Sequence, residues 1–175
     1  MHVTALPGRR SETEAWLRSV LVAAGFPEAV VTRYRHWDTE VEANVAFEAA
    51  RLANQSPPIV IAKSLGTVIA ATAFCLHNFR PTGAVFIGTP YAALESGDLR
   101  FLRQFSAAVE TLFIQQSEDP GGSAAELAAA LHLVRGEVVA VPGDDHMYSD
   151  STALAAVIQR WRKQEHGVSY ASAAA

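Results

Sequence analysis

Apolar residues along this chain follow two patterns, which alternate and predict a regular succession of strands and helices. Short runs rich in β-branched residues predict strands, and stretches with apolar residues three or four positions apart predict amphipathic helices. Strands are expected at 3–6, 29–35, 59–62, 83–88, 111–116 and 137–141. Helices are expected at 11–25, 40–53, 67–79, within 99–109, at 124–133 and around 154–161.

This alternation, with short connections, predicts a mostly parallel sheet covered by helices on both faces. The expected fold class is therefore α/β, a three-layer αβα sandwich around six strands. We expect one domain over residues 1–166 and a frayed tail over 167–175. Ligands of such sheets bind beyond the carboxyl ends of the strands, so the residues that directly follow each strand are the candidates for function.

Two local signals predict the ends of the first helix. Ser11 and Glu14 have the spacing of a capping box, in which each side chain accepts a hydrogen bond from the backbone of the other. Gly25 stands where a helix C-terminal cap is expected.

Composition and charge narrow the class of protein. Half of the 175 residues are apolar, enough for one core, and 18 acidic against 14 basic residues give a net charge of −4. Without a polybasic segment, nucleic acid is not an expected partner. The lone Cys75 excludes a disulfide framework and a cysteine metal cluster. No metal or other cofactor is expected.

No membrane segment is expected either. The longest apolar run, 59–76, contains Lys63, Ser64 and Gly66, and burying the charged lysine in a bilayer would be costly. The first residues lack the charged and apolar regions of a signal peptide. We therefore expect a cytoplasmic protein, monomeric or homodimeric.

A serine stands at the turn between a predicted buried strand and a predicted apolar helix. In the string Ile61-Ala62-Lys63-Ser64-Leu65-Gly66, small residues lie two positions before and two positions after Ser64. This is the form of a nucleophile elbow, with Ala62 in place of the first glycine. A hydroxyl is a weak nucleophile alone and needs a base and oxyanion donors. The alternative interpretation is a tight turn in which Ser64 caps the helix.

A carboxylate follows the fifth predicted strand. Asp119, in the segment Gln116-Ser117-Glu118-Asp119-Pro120, could orient a catalytic imidazole, and Glu118 is the alternative acid. An aspartate before a proline is also common in simple turns, so this segment alone leaves both interpretations open.

Of six histidines, only His146 both follows the elbow and stands at the end of a later predicted strand. We therefore expect His146, rather than His36, to be the essential base. Ser64, Asp119 and His146 then occur in the chain order of an α/β-hydrolase triad.

With these three residues the sequence resembles the α/β-hydrolase family over nearly its whole length, in particular the compact, lid-poor branch related to dienelactone hydrolases. The resemblance implies a minimal α/β-hydrolase core with strand order 2-1-3-4-5-6. It implies Ser64 as nucleophile, Asp119 as acid and His146 as base. The chain departs from the family pattern at Ala62, at Gln116, where glycine is usual, and in the loop after the first strand, which lacks the H-G-G form.

The resemblance also implies an oxyanion hole made by the backbone N–H groups of Leu65 and Arg9. Gly8, Arg10 and Lys63 fall beside the expected nucleophile and are candidate substrate contacts. The expected activity is hydrolysis of a small ester or thioester. The basic residues are compatible with an acidic substrate, and the alternative that they are only solvated surface charges stays equally open.

Two other functions stay open at this point. One is a hydrolase-fold binding or scaffold module without turnover. The other is binding of a phosphate or nucleotide at the helix start Gly8-Arg9-Arg10-Ser11, since helix N-termini attract anions. Neither G-x-G-x-x-G nor G-x-x-x-x-G-K-[ST] occurs, which makes the nucleotide hypothesis the weakest.

Overall fold

The computed structural model describes residues 2–39, 41–133 and 135–167. Six strands alternate with helices along the chain. The strands are β1 Val3–Leu6, β2 Val30–Val31, β3 Ile59–Lys63, β4 Gly83–Ile87, β5 Glu110–Gln116 and β6 Glu137–Val141. The helices are α1 Glu12–Ala23, α2 Val45–Ala50, α3 Leu65–Leu76, α4 Ser96–Ala108, α5 Ala124–Leu131 and α6 Ser151–Gly167.

The six strands form one parallel sheet in the order β2-β1-β3-β4-β5-β6. The expected fold class and strand order are confirmed. The order reverses at β1, so the crevice between β1 and β3, at their carboxyl ends, is the switch point where such sheets bind ligands. Ser64 directly follows β3 and lies at this point.

Two apolar layers cover the sheet, one on each face. Alternate strand residues such as Ile61 and Val85 pack with α1 and α6, and their neighbours such as Ala62 and Phe86 pack with the other four helices. The central strands are buried on both faces, which explains why they read as continuous apolar runs rather than alternating ones.

The second strand and the second helix are shorter than the sequence predicts. The expected strand 29–35 pairs only at Val30–Val31, because the chain leaves the sheet edge and forms a 3-10 turn at Arg35–Trp37. The helix expected from residue 40 begins after Asn44, whose side chain accepts a hydrogen bond from the Phe47 N–H. Glu40 itself lies outside the described residues.

The predicted capping box of α1 is wrong. The helix starts at Glu12, but the Ser11 side chain forms no capping hydrogen bond with a described residue. A capping box is present instead at Ser123 and Glu126, which start α5. Gly25 does follow α1 with φ +86°, as its expected capping position requires. The tail expected to fray lies, after residue 167, outside the described residues.

Gly66 allows α3 to pack closely against β1. A Cβ atom here would overlap the carbonyl oxygen of Leu6 and lie 2.8 Å from that of Pro7, both backbone atoms.

Gly66→Ala is therefore expected to lower the free energy of unfolding by about 3 kcal/mol or more, measured by urea denaturation. Gly97, in α4, has open space around it, so Gly97→Ala is the matched control and should leave stability unchanged or slightly higher. Equal stabilities of the two variants would contradict this account.

Candidate active site

Ser64 occupies a strained backbone position between β3 and α3. Its φ is +49° and its ψ −115°, a region that non-glycine residues rarely adopt. The Ser64 N–H is held by the Ile87 carbonyl at 2.9 Å, while the residue remains partly exposed. The side chain forms no capping hydrogen bond with α3 among the described residues, so the interpretation of Ser64 as a helix cap is wrong.

The structure brings Ser64, His146 and Asp119 into one hydrogen-bonded line. The Ser64 Oγ lies 3.0 Å from the His146 Nε2, and the His146 Nδ1 lies 2.7 Å from the Asp119 Oδ1. Because a carboxylate only accepts hydrogen bonds, Nδ1 carries the proton of the neutral ring. Nε2 is then free to accept the proton of the serine hydroxyl.

The Asp119 carboxylate is buried and has further donors besides the histidine. Oδ1 also accepts from the Gly121 N–H at 2.7 Å, and Oδ2 accepts from the Tyr148 hydroxyl at 2.7 Å. Burial alone would raise the pKa of Asp119, but the hydrogen bonds from His146, Tyr148 and Gly121 outweigh it and hold the pKa below its usual range. The carboxylate stays ionised at neutral pH, and the stability that it contributes is lost only as pH falls through this lowered pKa.

Glu118, the alternative acid, is placed differently. Its side chain is exposed and forms no hydrogen bond with another described residue. The adjacent Asp119 is 4% exposed and faces the imidazole. The geometry therefore favours Asp119 over Glu118.

Gln116, the departure from the family pattern noted in the sequence, holds the loop that carries His146. Its Oε1 accepts from the N–H groups of His146 at 2.9 Å and Asp145 at 3.2 Å, and its Nε2 donates to the Asp145 carboxylate at 2.9 Å. A glycine here could form none of these bonds. Asp145 in turn accepts from the Met147 N–H at 2.8 Å, so it shapes the turn rather than facing the imidazole.

Tyr148 joins the acid to the end of β5. Its buried hydroxyl donates to Asp119 and accepts from the Gln116 N–H at 2.8 Å. Burial raises the pKa of Tyr148 well above its usual value, so the hydroxyl keeps its proton. On the other side of the loop, the Trp16 indole N–H donates to the Tyr148 carbonyl at 3.2 Å.

Tyr148→Phe is expected to lower the free energy of unfolding by about 1–3 kcal/mol, because it leaves a carboxylate oxygen and a buried N–H unpaired. Urea denaturation measures this loss. The Tyr91 hydroxyl forms no hydrogen bond with the described residues, so Tyr91→Phe serves as the control and should change stability by less than about 0.5 kcal/mol. A Tyr148→Phe protein as stable as its parent would show that the hydroxyl is not needed.

Leu65, the first expected oxyanion donor, directly follows Ser64 at the switch point. The Leu65 N–H opens α3, where no preceding helical carbonyl can accept it. The loop after β1 passes beside it, since α3 touches the Leu6 and Pro7 carbonyls at Gly66. The expected second donor, Arg9, belongs to this loop.

Side chains that follow β2 hold the backbone of this loop. The Arg9 carbonyl accepts from the His36 Nε2 at 2.7 Å and from the Trp37 indole N–H at 2.9 Å, and the Pro7 carbonyl accepts from the Tyr34 hydroxyl at 2.9 Å. The shortened second strand therefore has a structural use, because the 3-10 turn after it brings these donors to the loop.

The expected substrate contacts separate into exposed and buried residues. Arg9 and Arg10 are exposed, and neither forms a salt bridge with a described residue. Gly8 is buried. Lys63 is 3% exposed, and its ammonium donates to the His146 carbonyl at 3.0 Å. The positions of Gly8 and Lys63 do not support direct contact with a substrate, because both are covered by the protein.

Comparison with known proteins supports the topology. No family model and no curated protein sequence matches this chain. Solved structures do: MGS-MChE2, an α/β hydrolase enzyme from the metagenome of sediments of the Mar Chica lagoon, is 14% identical with a TM-score of 0.67 over 94% of this chain and 91% of that one. This chain has the α/β-hydrolase fold.

Esterases and thioesterases are among the similar structures of this fold. The RedJ thioesterase of the prodiginine pathway in Streptomyces coelicolor is 13% identical, with a TM-score of 0.59 over 90% of this chain and 84% of that one. The esterase domain of a Rhodothermus marinus protein is 17% identical, with a TM-score of 0.58 over 93% and 85%.

The segment between β4 and β5 is too short to form a cap domain over the site. Between β4 and β5 the chain forms one 3-10 turn at Tyr91–Ala93 and the helix α4. Ser64 is therefore reached from solvent without a helical lid formed by this segment.

No helix in the described parts of the chain is long and apolar enough to cross a membrane.

Sequence reasoning missed the residues that hold the site together. In the sequence, Gln116 stood out only as a departure from the family pattern. Tyr148 was only an aromatic residue in an expected loop, and Trp16 only an aromatic residue on an expected helix. Their partners lie 29 to 132 positions away in the chain, so no local pattern could reveal them.

Proposed function

We propose that this protein is a serine hydrolase that cleaves a small ester or thioester through an acyl-enzyme on Ser64. One observation carries the proposal: the Ser64 hydroxyl stands on a strained turn, 3.0 Å from an imidazole nitrogen whose other nitrogen is bound to a buried carboxylate. Nucleophile, base and orienting acid are thus within hydrogen-bond reach of one another.

The reaction has two halves. In the first, Ser64 Oγ attacks the acyl carbon while His146 Nε2 takes the hydroxyl proton, and the proton then passes to the departing alcohol or thiol. In the second, water attacks the acyl-serine, His146 takes a proton from it, and Ser64 recovers its hydroxyl as the acid leaves. Asp119 stabilises the imidazolium formed in each half.

Negative charge on the acyl oxygen would be stabilised by the N–H groups of Leu65 and Arg9. Backbone donors fixed before the reaction cost no reorganisation as the charge forms. The bonds from His36 and Trp37 to the Arg9 carbonyl support this role, because they hold the loop that presents the second donor.

An acidic substrate fits the entrance. Arg9 and Arg10 are exposed beside the switch point and free of ion pairs with described residues, in a protein whose net charge is negative. A carboxylate on the acyl or alcohol group would find complementary charge there.

Mass spectrometry of the intact protein, followed by digestion to peptides, tests the acyl-enzyme. Rapid quenching during turnover of p-nitrophenyl esters and acyl-CoA thioesters should give an adduct of the acyl mass on the peptide that contains Ser64. A fluorophosphonate should block the same residue. If no ester or thioester is hydrolysed and the fluorophosphonate leaves Ser64 unmodified, the protein is a binding module and the proposal fails.

A further inference from the structure

Lys63 is a buried cation that the proposed reaction leaves without a role. It is the last residue of β3 and directly precedes Ser64. A buried charge is costly unless it is paired, so a lysine with 3% exposure needs a structural reason. Its ammonium donates to the carbonyl oxygen of His146 at 3.0 Å and lies 4.7 Å from the centre of the Tyr148 ring.

The slot that holds this ammonium is formed by residues of several elements. Gly88, after β4, has φ +58°, and a Cβ atom there would lie 2.7 Å from the Lys63 Nζ and 2.8 Å from the Tyr148 ring. The Trp16 ring of α1 lies 6.0 Å away on another side. An alanine in place of Gly88 would displace both the ammonium and the tyrosine.

We propose that Lys63 is a positioning residue of the active site: its ammonium holds the backbone of His146 so that the imidazole lies over the Ser64 hydroxyl. Residues 63 and 64 are neighbours, so this hydrogen bond links the elbow directly to the loop of the base. This proposal rests on the proposed function, because the alignment matters only if Ser64 reacts.

The charge of Lys63 gives a second argument for this positioning role, because its loss at alkaline pH should change the activity. Burial lowers the pKa of Lys63 to about 8, although the negative charges of Asp119 and Asp145 raise it in part. The other titratable groups that face it are His146 and Tyr148, and the Trp16 ring carries no titratable proton. As pH rises through about 8, Lys63 loses its proton and the charged hydrogen bond to His146 becomes a weaker neutral one.

Activity should therefore fall on the alkaline side. The rate of Ser64 phosphonylation by a fluorophosphonate, and kcat for the best ester, are expected to decline above pH 8, as Lys63 loses its proton. Lys63 and Lys163 are the only lysines of the chain. In protein labelled with ¹³C at lysine Cε, NMR should show two signals, and the Lys63 signal should titrate at the pH of the alkaline decline.

Two variants separate the ammonium from the rest of the side chain. Lys63→Met keeps the apolar stem and removes the donor, and we expect about a tenfold loss of kcat with little change of KM and no alkaline decline. Lys63→Arg keeps a charge throughout this pH range, so the activity that this variant retains should show no alkaline decline, whatever loss the larger guanidinium causes in the tight slot. Lys163→Arg, on the exposed surface of α6, is the control and should match the parent.

The outcomes distinguish this proposal from the proposed function. A fluorophosphonate that fails to modify Ser64 at any pH would overturn the proposed function and this proposal with it. The positioning role alone would be overturned if the rate of Ser64 modification did not change over the pH range in which Lys63 titrates. It would also be overturned if the Lys63→Met protein had the kcat and the pH profile of the parent. If Lys63→Met does not fold, the unmodified protein still decides, through agreement or disagreement between its NMR titration and its pH–rate curve.

Discussion

Ser64→Ala is expected to lower kcat for ester hydrolysis by about three orders of magnitude or more, because no acyl-enzyme can form without the hydroxyl. Binding and oxyanion donors would account for the remaining rate. Steady-state kinetics with a chromogenic ester measures the effect, and circular dichroism should show the fold unchanged. Stability should change little, since alanine must adopt the same strained φ of +49° as the serine that it replaces.

Ser117→Ala is the matched control for this variant. Ser117 follows β5 on the same edge of the sheet but is exposed, and its side chain forms no hydrogen bond with the described residues. Its replacement should leave kcat and fluorophosphonate labelling within about twofold of the parent. If Ser64→Ala retained the parent's rate, the nucleophile would have to be sought elsewhere.

Asp119→Asn is expected to lower kcat at neutral pH by about 10³- to 10⁴-fold, comparable to the loss of the acid in a serine protease triad. The amide is neutral, so it no longer stabilises the imidazolium. It can also donate to Nδ1, which would place the ring proton on Nε2 and prevent it from accepting the Ser64 proton. The same kinetic assay measures the loss, with KM expected to change far less than kcat.

Glu118→Gln provides the control, with the same chemical change one residue away. Because Glu118 is exposed and does not contact His146, this variant should keep its activity within about twofold. The reverse result, an inactive Glu118→Gln protein beside an active Asp119→Asn protein, would transfer the role of the acid to Glu118.

Much of the fold could be predicted from the sequence because the sheet is parallel and buried. A strand such as Ile59–Lys63 is apolar on both faces, and the helices α1 and α6 carry apolar residues at helical spacing, so each of these elements is visible within its own residues. The prediction was poorest at the edge strand. Only Val30 and Val31 pair with β1, because the 3-10 turn that follows binds the loop after β1. The β-branched residues of the run 29–35 carry no sign of this distant contact.

The candidate triad could be predicted for a related reason. In a parallel sheet the carboxyl ends of all strands meet at one edge, so a residue's place after a strand determines which edge it occupies. Ser64, Asp119 and His146 each follow a different strand, and their order along the chain then selected them. The choice between Asp119 and Glu118 could not be made this way, because two adjacent residues share that placement and differ only in the direction of their side chains.

The sequence by itself thus determined the succession of elements, the edge of the sheet that carries the chemistry and the three residues to inspect there. Only the tertiary structure decided which acid faces the imidazole. It also decided which side chains hold the acid and the histidine: Tyr148 binds the Asp119 carboxylate, and Gln116 and the buried Lys63 bind the backbone of His146. The physical reason is the separation along the chain between the residues that interact. Strand and helix patterns arise from residues a few positions apart, whereas the partners of these side chains lie 29 to 83 positions away and meet only when the sheet is assembled.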